Sequence, residues 1–193
     1  MNPALSMAST LSLRTIVTPL GSMLGGASEA GICLCGFLDP GGEEGMVARL
    51  AERSGTEAKA PGPEDRAAGG EGSAGAAHLD ALERQLAEYF GETRRAFHLP
   101  LDLSGTPWQR KVWAALMEIP YGAVTSYGEL ASRLGKPGGS RAVGRANGDN
   151  RVAIVVPCHR VIQGDGGVGG YGGGLPRKRW LLDLEAGVRR LPF

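Results

Sequence analysis

Apolar residues recur at helical spacing along much of the chain. Leu79, Leu82, Leu86 and Phe90 share one face of a predicted helix that Gly91 stops. Trp108, Val112 and Leu116 line another. It opens at Thr106-Pro107-Trp108-Gln109, a capping box with proline at the first helical position, and ends by Pro120 and Gly122. Ser126-Tyr127-Gly128-Glu129 is a second capping box, starting a shorter helix with Leu130 and Leu134 inward and Gly135 as its stop. Gly138-Gly139 make a turn, and Ser140 is placed to cap a third helix. There Val143 and Ala146 face inward, with Arg141 and Arg145 on or near the exposed side. Helix, short glycine-containing turn, helix is the helix-turn-helix arrangement. A last helix is predicted from Pro176 to Ala186, with Leu181, Leu182 and Leu184 apolar and Glu185 close to its end.

The N-terminal pattern is different. Thr15–Thr18 is β-branched, Pro19 and Gly21 punctuate it, and Gly31–Phe37 is apolar again. Between Arg14 and Leu38 this predicts two strands in a hairpin or short meander, with Gly25-Gly26 and Gly31 at bends or turns. Residues 43–52 suit a short helix. Residues 53–77 are mostly Gly, Ala, Glu and Pro with little to bury, so their ordering entropy is not offset and a flexible insert is expected. Residues 1–13 are small and polar, and a frayed terminus is expected there. Strands first and helices afterwards indicate an α+β fold.

Composition narrows the class. The chain has 193 residues, 42% apolar and 21% charged, as in a soluble globular protein of one or two domains. No apolar run is long enough to span a bilayer, and no secretory leader is recognisable. Three cysteines, an odd number, argue against a disulfide framework and suit a reducing, cytoplasmic compartment. The net charge of +1 hides a split. Residues 1–106 carry 8 Lys/Arg against 14 Asp/Glu, and residues 107–193 carry 13 against 6. A basic C-terminal half points to a polyanionic partner.

The chemistry centres on Ile154-Val155-Val156-Pro157-Cys158-His159-Arg160-Val161. A cysteine beside a histidine, on an apolar support, is a candidate nucleophile–base pair. A buried structural cysteine is the competing reading. Cys33 and Cys35 share a strand face and suit core packing better than metal ligation. His98 reads as a surface or packing residue. Between Gly164 and Gly174, eight of eleven residues are glycine, so backbone can approach a ligand closely. This loop lacks the lysine and hydroxyl of a phosphate-binding loop, and Tyr171 lies within it. A base locked in a duplex must be extruded before such a nucleophile reaches it, which calls for an intercalating side chain and one that displaces phosphate. Arg141 and Tyr127 are of the right type.

At these residues the chain resembles the O6-alkylguanine-DNA alkyltransferases, also called methylated-DNA–protein-cysteine methyltransferases. The matching stretches are 154–161, Arg141-Ala142-Val143-Gly144, Ala146-Asn147-Gly148-Asp149-Asn150, Gly170–Gly174 and Trp180–Glu185. They run from about Thr106 to Gly187 without a large gap. Thr18-Pro19-Leu20-Gly21 and the apolar hairpin look like the family's N-terminal domain. The resemblance implies a small N-terminal α/β (ribonuclease-H-like) domain over residues 14–100. A mostly helical, winged helix-turn-helix-like domain over residues 101–193 would follow.

It implies direct-reversal repair of double-stranded DNA containing O6-alkylguanine, by irreversible single-turnover transfer of the alkyl group to Cys158. O4-alkylthymine stays open as a second substrate. Arg141 would replace the flipped guanine, and Ser140 and Arg145 would contact DNA. Tyr127 would displace the 3′ phosphate and donate to the departing base. Asn150 would organise the turn before the reactive site. His159 would take the thiol proton through a water, held in the right tautomer by Glu185. Tyr171, the backbones of Gly172 and Val161, and Asn147 would meet the base. No cofactor is implied, no membrane, and no metal, since the zinc set of some relatives is not recognisable here. A monomer is expected, with cooperative binding on DNA open.

There are departures. Ala153 stands where many members carry proline, which is expected to relax the pocket wall. Gly172 replaces a serine and offers only its amide. Asn147 replaces a larger residue. Two rivals remain: a DNA-binding module that senses alkylated bases without chemistry, and a cysteine hydrolase using Cys158, His159 and Glu185. A thioether product has no activated carbonyl for water to attack, which is why a single use is expected of the favoured reading.

Overall fold

The computed structural model describes residues 11–38 and 73–188. The expected helix at 43–52, and most of the expected terminus and insert, lie outside these residues. Within them the fold is mixed α/β, with one small antiparallel sheet and five helices.

Strands β1 (Ser12–Thr18), β2 (Gly21–Ser28) and β3 (Gly31–Phe37) form an antiparallel meander. The two-strand expectation is therefore corrected to three. Gly25 and Gly26 are not turns; they sit mid-strand in β2. A Cβ at Gly25 would stand 3.1 Å from both Ile16 and Leu79, and 3.2 Å from Leu82, so glycine lets helix α1 settle onto the sheet. Helix α1 (Ala74–Phe90) is capped by Ser73, whose hydroxyl accepts from Ala76 N–H at 3.1 Å. Residues 74–77, expected in the insert, are thus its first turn. Leu79, Leu82 and Leu86 are buried, as their spacing requires. Cutting Leu82 to alanine would cost about 2–5 kcal/mol in transfer and cavity energy.

Both expected capping boxes form. Thr106 and Gln109 open helix α2 (Pro107–Met117), and Ser126 and Glu129 open helix α3 (Tyr127–Arg133). Helix α4 (Ser140–Gly148) follows, but Gly139 holds its cap position and Ser140 is its first residue, so the expected Ser140 cap is not made. Val143 and Ala146 are buried, while Arg141 and Arg145 are exposed. Helix α2 grips α4 through tryptophan, with Trp108 Nε1 donating to Ala142 O at 3.2 Å and Trp113 Nε1 to Ala146 O at 2.8 Å.

Strand β4 (Thr125–Ser126) pairs in parallel with β5 (Val161–Ile162), and helix α5 (Leu175–Glu185) closes the described chain. The free edge of β3 is covered from the second half of the chain. Ile32 N–H donates to Pro100 O at 2.8 Å and Cys35 N–H to Arg151 O at 2.8 Å, while Ala153 N–H donates to Cys35 O at 2.7 Å. One apolar core accordingly runs from Ile16 in β1 to Leu181 in α5, across the expected boundary at residues 100/101. Cys35 is buried in it, and Cys33 packs with Leu24 and Leu34 in a smaller satellite, consistent with packing roles for both. No described helix is long and apolar enough to cross a membrane.

Candidate active site

The Cys158-His159 dipeptide sits where three devices meet. Cys158, His159 and Arg160 form one 3-10 turn straight after Pro157, and all three side chains are buried. The approach to it is bent hard. Ile154 holds φ 71°, a left-handed conformation that costs a β-branched residue about 1–3 kcal/mol. Asn150 clasps that bend: its Oδ1 accepts from Val152 N–H at 3.0 Å, and its Nδ2 donates to Val156 O at 2.8 Å. The Ala153 N–H bond to Cys35 belongs to the same clasp. Proline has no N–H, so this tie of the wall to β3 is one that Ala153 makes and a proline there would not.

Glu185 is the electrostatic centre. Its Oε1 accepts from His159 Nε2 at 3.0 Å, Arg160 Nη2 at 2.9 Å and Tyr89 O–H at 2.8 Å. Its Oε2 accepts from Arg160 Nε at 2.9 Å and Gly122 N–H at 3.1 Å. Burial alone would raise this carboxyl. The bonds and charges of His159 and Arg160 outweigh that and hold its pKa down at about 2. An ionised carboxylate only accepts, so His159 carries its proton on Nε2, and the lone pair of the neutral ring lies on Nδ1. Burial lowers the His159 pKa, against the pull of Glu185, so the ring is neutral near pH 7. Burial also raises the Cys158 thiol, opposed by the Asn150 amide and the Lys178 charge. The resting pair is therefore thiol and neutral imidazole, not thiolate and imidazolium.

Around Cys158 the polar capacity is unspent. His159 Nδ1, Asn147 Oδ1 and the Tyr171 hydroxyl are buried and have no hydrogen-bond partner within the protein. Asn147 meanwhile donates from Nδ2 to Cys158 O at 3.3 Å. Burial drives the Tyr171 hydroxyl well above its usual pKa, and the Cys158 charge adds to this. Tyr127, half-buried at the start of α3, has its pKa raised by burial and then by Cys158. Its ring would meet a Cβ at Gly169 at 3.2 Å; Gly169 already holds φ 69°, so glycine serves there twice. A Cβ at Gly173 would strike Phe37 at 2.6 Å, and Arg177 lies 4.5 Å over that ring while donating to Leu20 O at 3.0 Å. The glycine loop is thus pinned to Tyr127 on one side and to the sheet on the other. Gly172 is exposed, and a Cβ there would meet open space.

The expected residues separate into two groups. Cys158, His159, Glu185, Asn150, Asn147, Tyr127, Tyr171 and Val161 gather around the turn. Ser140, Arg141 and Arg145 lie on α4, outside the buried network. Arg160, Lys178 and Tyr89 were not anticipated. Lys178 is fully buried, with Nζ donating to Val161 O at 2.6 Å and to Gly170 O at 3.3 Å. Burial brings its pKa down to about 8, opposed by Cys158. A signal for it existed: Lys178, Leu181 and Glu185 fall at i, i+3 and i+7, one helix face. No described group of three or more His, Cys, Asp or Glu side chains is placed to hold a metal ion.

Known proteins resemble this chain. Residues 107–187 match the family described as 6-O-methylguanine DNA methyltransferase, DNA binding domain. The methylated-DNA–protein-cysteine methyltransferase of Mycobacterium bovis is 56% identical over 101 residues, 52% of this chain and 61% of the relative. That of Shigella flexneri is 53% identical over 105 residues, again 61% of its length. The matched stretch therefore spans under two thirds of these curated relatives. The structural match is longer. A crystal structure of the Mycobacterium tuberculosis O6-methylguanine methyltransferase is 36% identical, with 93% of this chain and 95% of that one aligned and a TM-score of 0.69. The M. tuberculosis OGT solved in complex with DNA is 37% identical, covers 92% and 94%, and has a TM-score of 0.72. With identity above a third along nearly the whole of both chains, this protein belongs to the O6-methylguanine-DNA methyltransferase family.

Proposed function

We propose that this protein repairs DNA by taking the alkyl group from O6-alkylguanine in a duplex onto Cys158, once per molecule. The observation that carries the reading is the buried pair of His159 and an ionised Glu185, next in the chain to Cys158, with His159 Nδ1, Asn147 Oδ1 and the Tyr171 hydroxyl left unpartnered. As a flipped base enters, the thiol proton passes to His159 Nδ1 through a water. The sulfur attacks the alkyl carbon, an S–C bond forms, and the C–O6 bond breaks. Tyr127 donates to the guanine as it leaves. Imidazolium formed at His159 is met by Glu185, which needs no reorganisation to receive it. The thioether left on Cys158 offers water no activated carbonyl, so the protein is spent.

The same reading assigns the exposed residues. Arg141 fills the space of the extruded base, Tyr127 displaces the 3′ phosphate, and Ser140 and Arg145 hold the backbone. Tyr171, Asn147 and the backbones of Gly172 and Val161 read the base, while Asn150 keeps the approach to Cys158 bent. Residues 14–100 form a ribonuclease-H-like unit and residues 101–193 a winged helix-turn-helix-like one, acting as a cytoplasmic monomer without cofactor. The support for a DNA partner is the basic C-terminal half and the relative crystallised with DNA. Titration with a duplex carrying O6-methylguanine tests this. Repaired guanine should plateau at one equivalent of protein, and continued turnover would reject it.

A further inference from the structure

We propose that Tyr89, at the end of α1 in the N-terminal half, is a positioning residue for the His159–Glu185 relay. The inference rests on the alkyl-transfer reading and goes beyond it. Tyr89 and Glu185 lie 96 positions apart, yet the tyrosine O–H donates to Glu185 Oε1 at 2.8 Å. That oxygen is the one that receives His159 Nε2–H. The hydroxyl has little freedom to go elsewhere. Tyr89 is fully buried, and its ring is packed by Phe90 and Phe97, with centroids at 5.5 Å, and by Tyr121 at 6.0 Å.

The sharing of one oxygen sets the chemistry. Each donor on Oε1 spreads carboxylate charge and limits how strongly Glu185 draws a proton to the imidazole. His159 must be neutral to take a proton from Cys158. The groups facing this pair are Tyr89 from α1, Tyr121 before β4, Cys158 and Arg160 of the turn, Tyr171 of the glycine loop and Lys178 of α5. Arg160 supplies the counter-charge in a bidentate grip, so Tyr89 adds direction rather than charge. Without it, Glu185 concentrates its charge on His159 and the ring protonates at higher pH.

The test is Tyr89→Phe, which keeps the ring and removes only the donor. Alkylation of Cys158 by free O6-benzylguanine is followed from about pH 5 to about pH 8, beside the NMR titration of the His159 ring. The acid limb of the rate and the His159 titration should both move to higher pH. The rate below neutrality should fall about tenfold, the size of one charge-assisted hydrogen bond. Phe97→Leu loosens the same ring and is the packing control; it should lower thermal stability and leave both pH curves in place. Coincident curves for Tyr89→Phe and the parent, or equal movement in Phe97→Leu, would overturn the assignment. A parent protein that leaves O6-methylguanine in a duplex unrepaired, but with His159 shifted by Tyr89→Phe, would reject the alkyl-transfer reading and keep the positioning.

Discussion

The buried network around Glu185 and the exposed face of α4 are built on opposite principles. In the first, five donors converge on one carboxylate, every distance lies between 2.8 and 3.1 Å, and solvent is excluded. In the second, Arg141 and Arg145 stand in water on a short helix. The contrast separates chemistry from access. A proton relay must be organised before substrate arrives, because reorganising charge in a low dielectric is costly. A surface for a polyanion needs only charge of the right sign in the right place.

The sharpest way to break the comparison is Glu185→Gln. A neutral amide leaves Arg160 buried without its counter-ion, and it puts a donor where one of two accepting oxygens stood, so the His159 tautomer is no longer fixed by a partner that can only accept. Cys158 alkylation should fall by about a hundredfold or more, as when an orienting partner is lost. Stability should fall by about 3–5 kcal/mol, a drop of roughly 6–20 °C in melting temperature. The variant should also lose a pH signature. Glu185 titrates at about 2 in the folded chain against 4.5 ordinarily. Its stabilisation is thus complete above pH 4.5 and vanishes as pH falls toward 2, so acid unfolding across that window should be blunted in Glu185→Gln. A variant as stable and as reactive as the parent would show the network to be incidental.

Arg141→Ala addresses the other region. Repair of duplex should fall about tenfold to a hundredfold, while reaction with free O6-benzylguanine and thermal stability stay level. Equal losses on both substrates would merge the two regions into one. The smallest effect belongs to Arg145→Ala. It should leave chemistry untouched and reduce the log–log salt slope of DNA binding by about one, as for one lost phosphate contact.

The two regions also differed in how well they could be read along the chain. Capping boxes and helical spacing are local, so α2, α3 and the inward faces of α4 were legible. Cys158, His159 and Glu185 were legible through their motifs. What escaped was non-local or conditional on packing. Gly25-Gly26 looked like a turn because nothing in the sequence says that α1 lies against them. Tyr89 carries no local signal, since its hydrogen bond crosses 96 residues. Lys178 carries no motif of its own and a buried lysine is rare, although its face also carries Leu181 and Glu185. The tie of Ala153 N–H to Cys35 O is non-local as well, since its acceptor lies on β3. The resting charge state was illegible too, because burial, not adjacency, decides it.

The central claim is that Cys158 accepts one alkyl group and keeps it. Peptide mass spectrometry after incubation with a duplex containing O6-methylguanine measures this directly. A gain of about 14 Da, one methylene on a thiolate nucleophile, should appear on the peptide bearing Cys158, rising to a single equivalent as guanine is restored. Restored guanine with an unmodified Cys158 peptide, or the increment on Cys33 or Cys35 instead, would contradict the account.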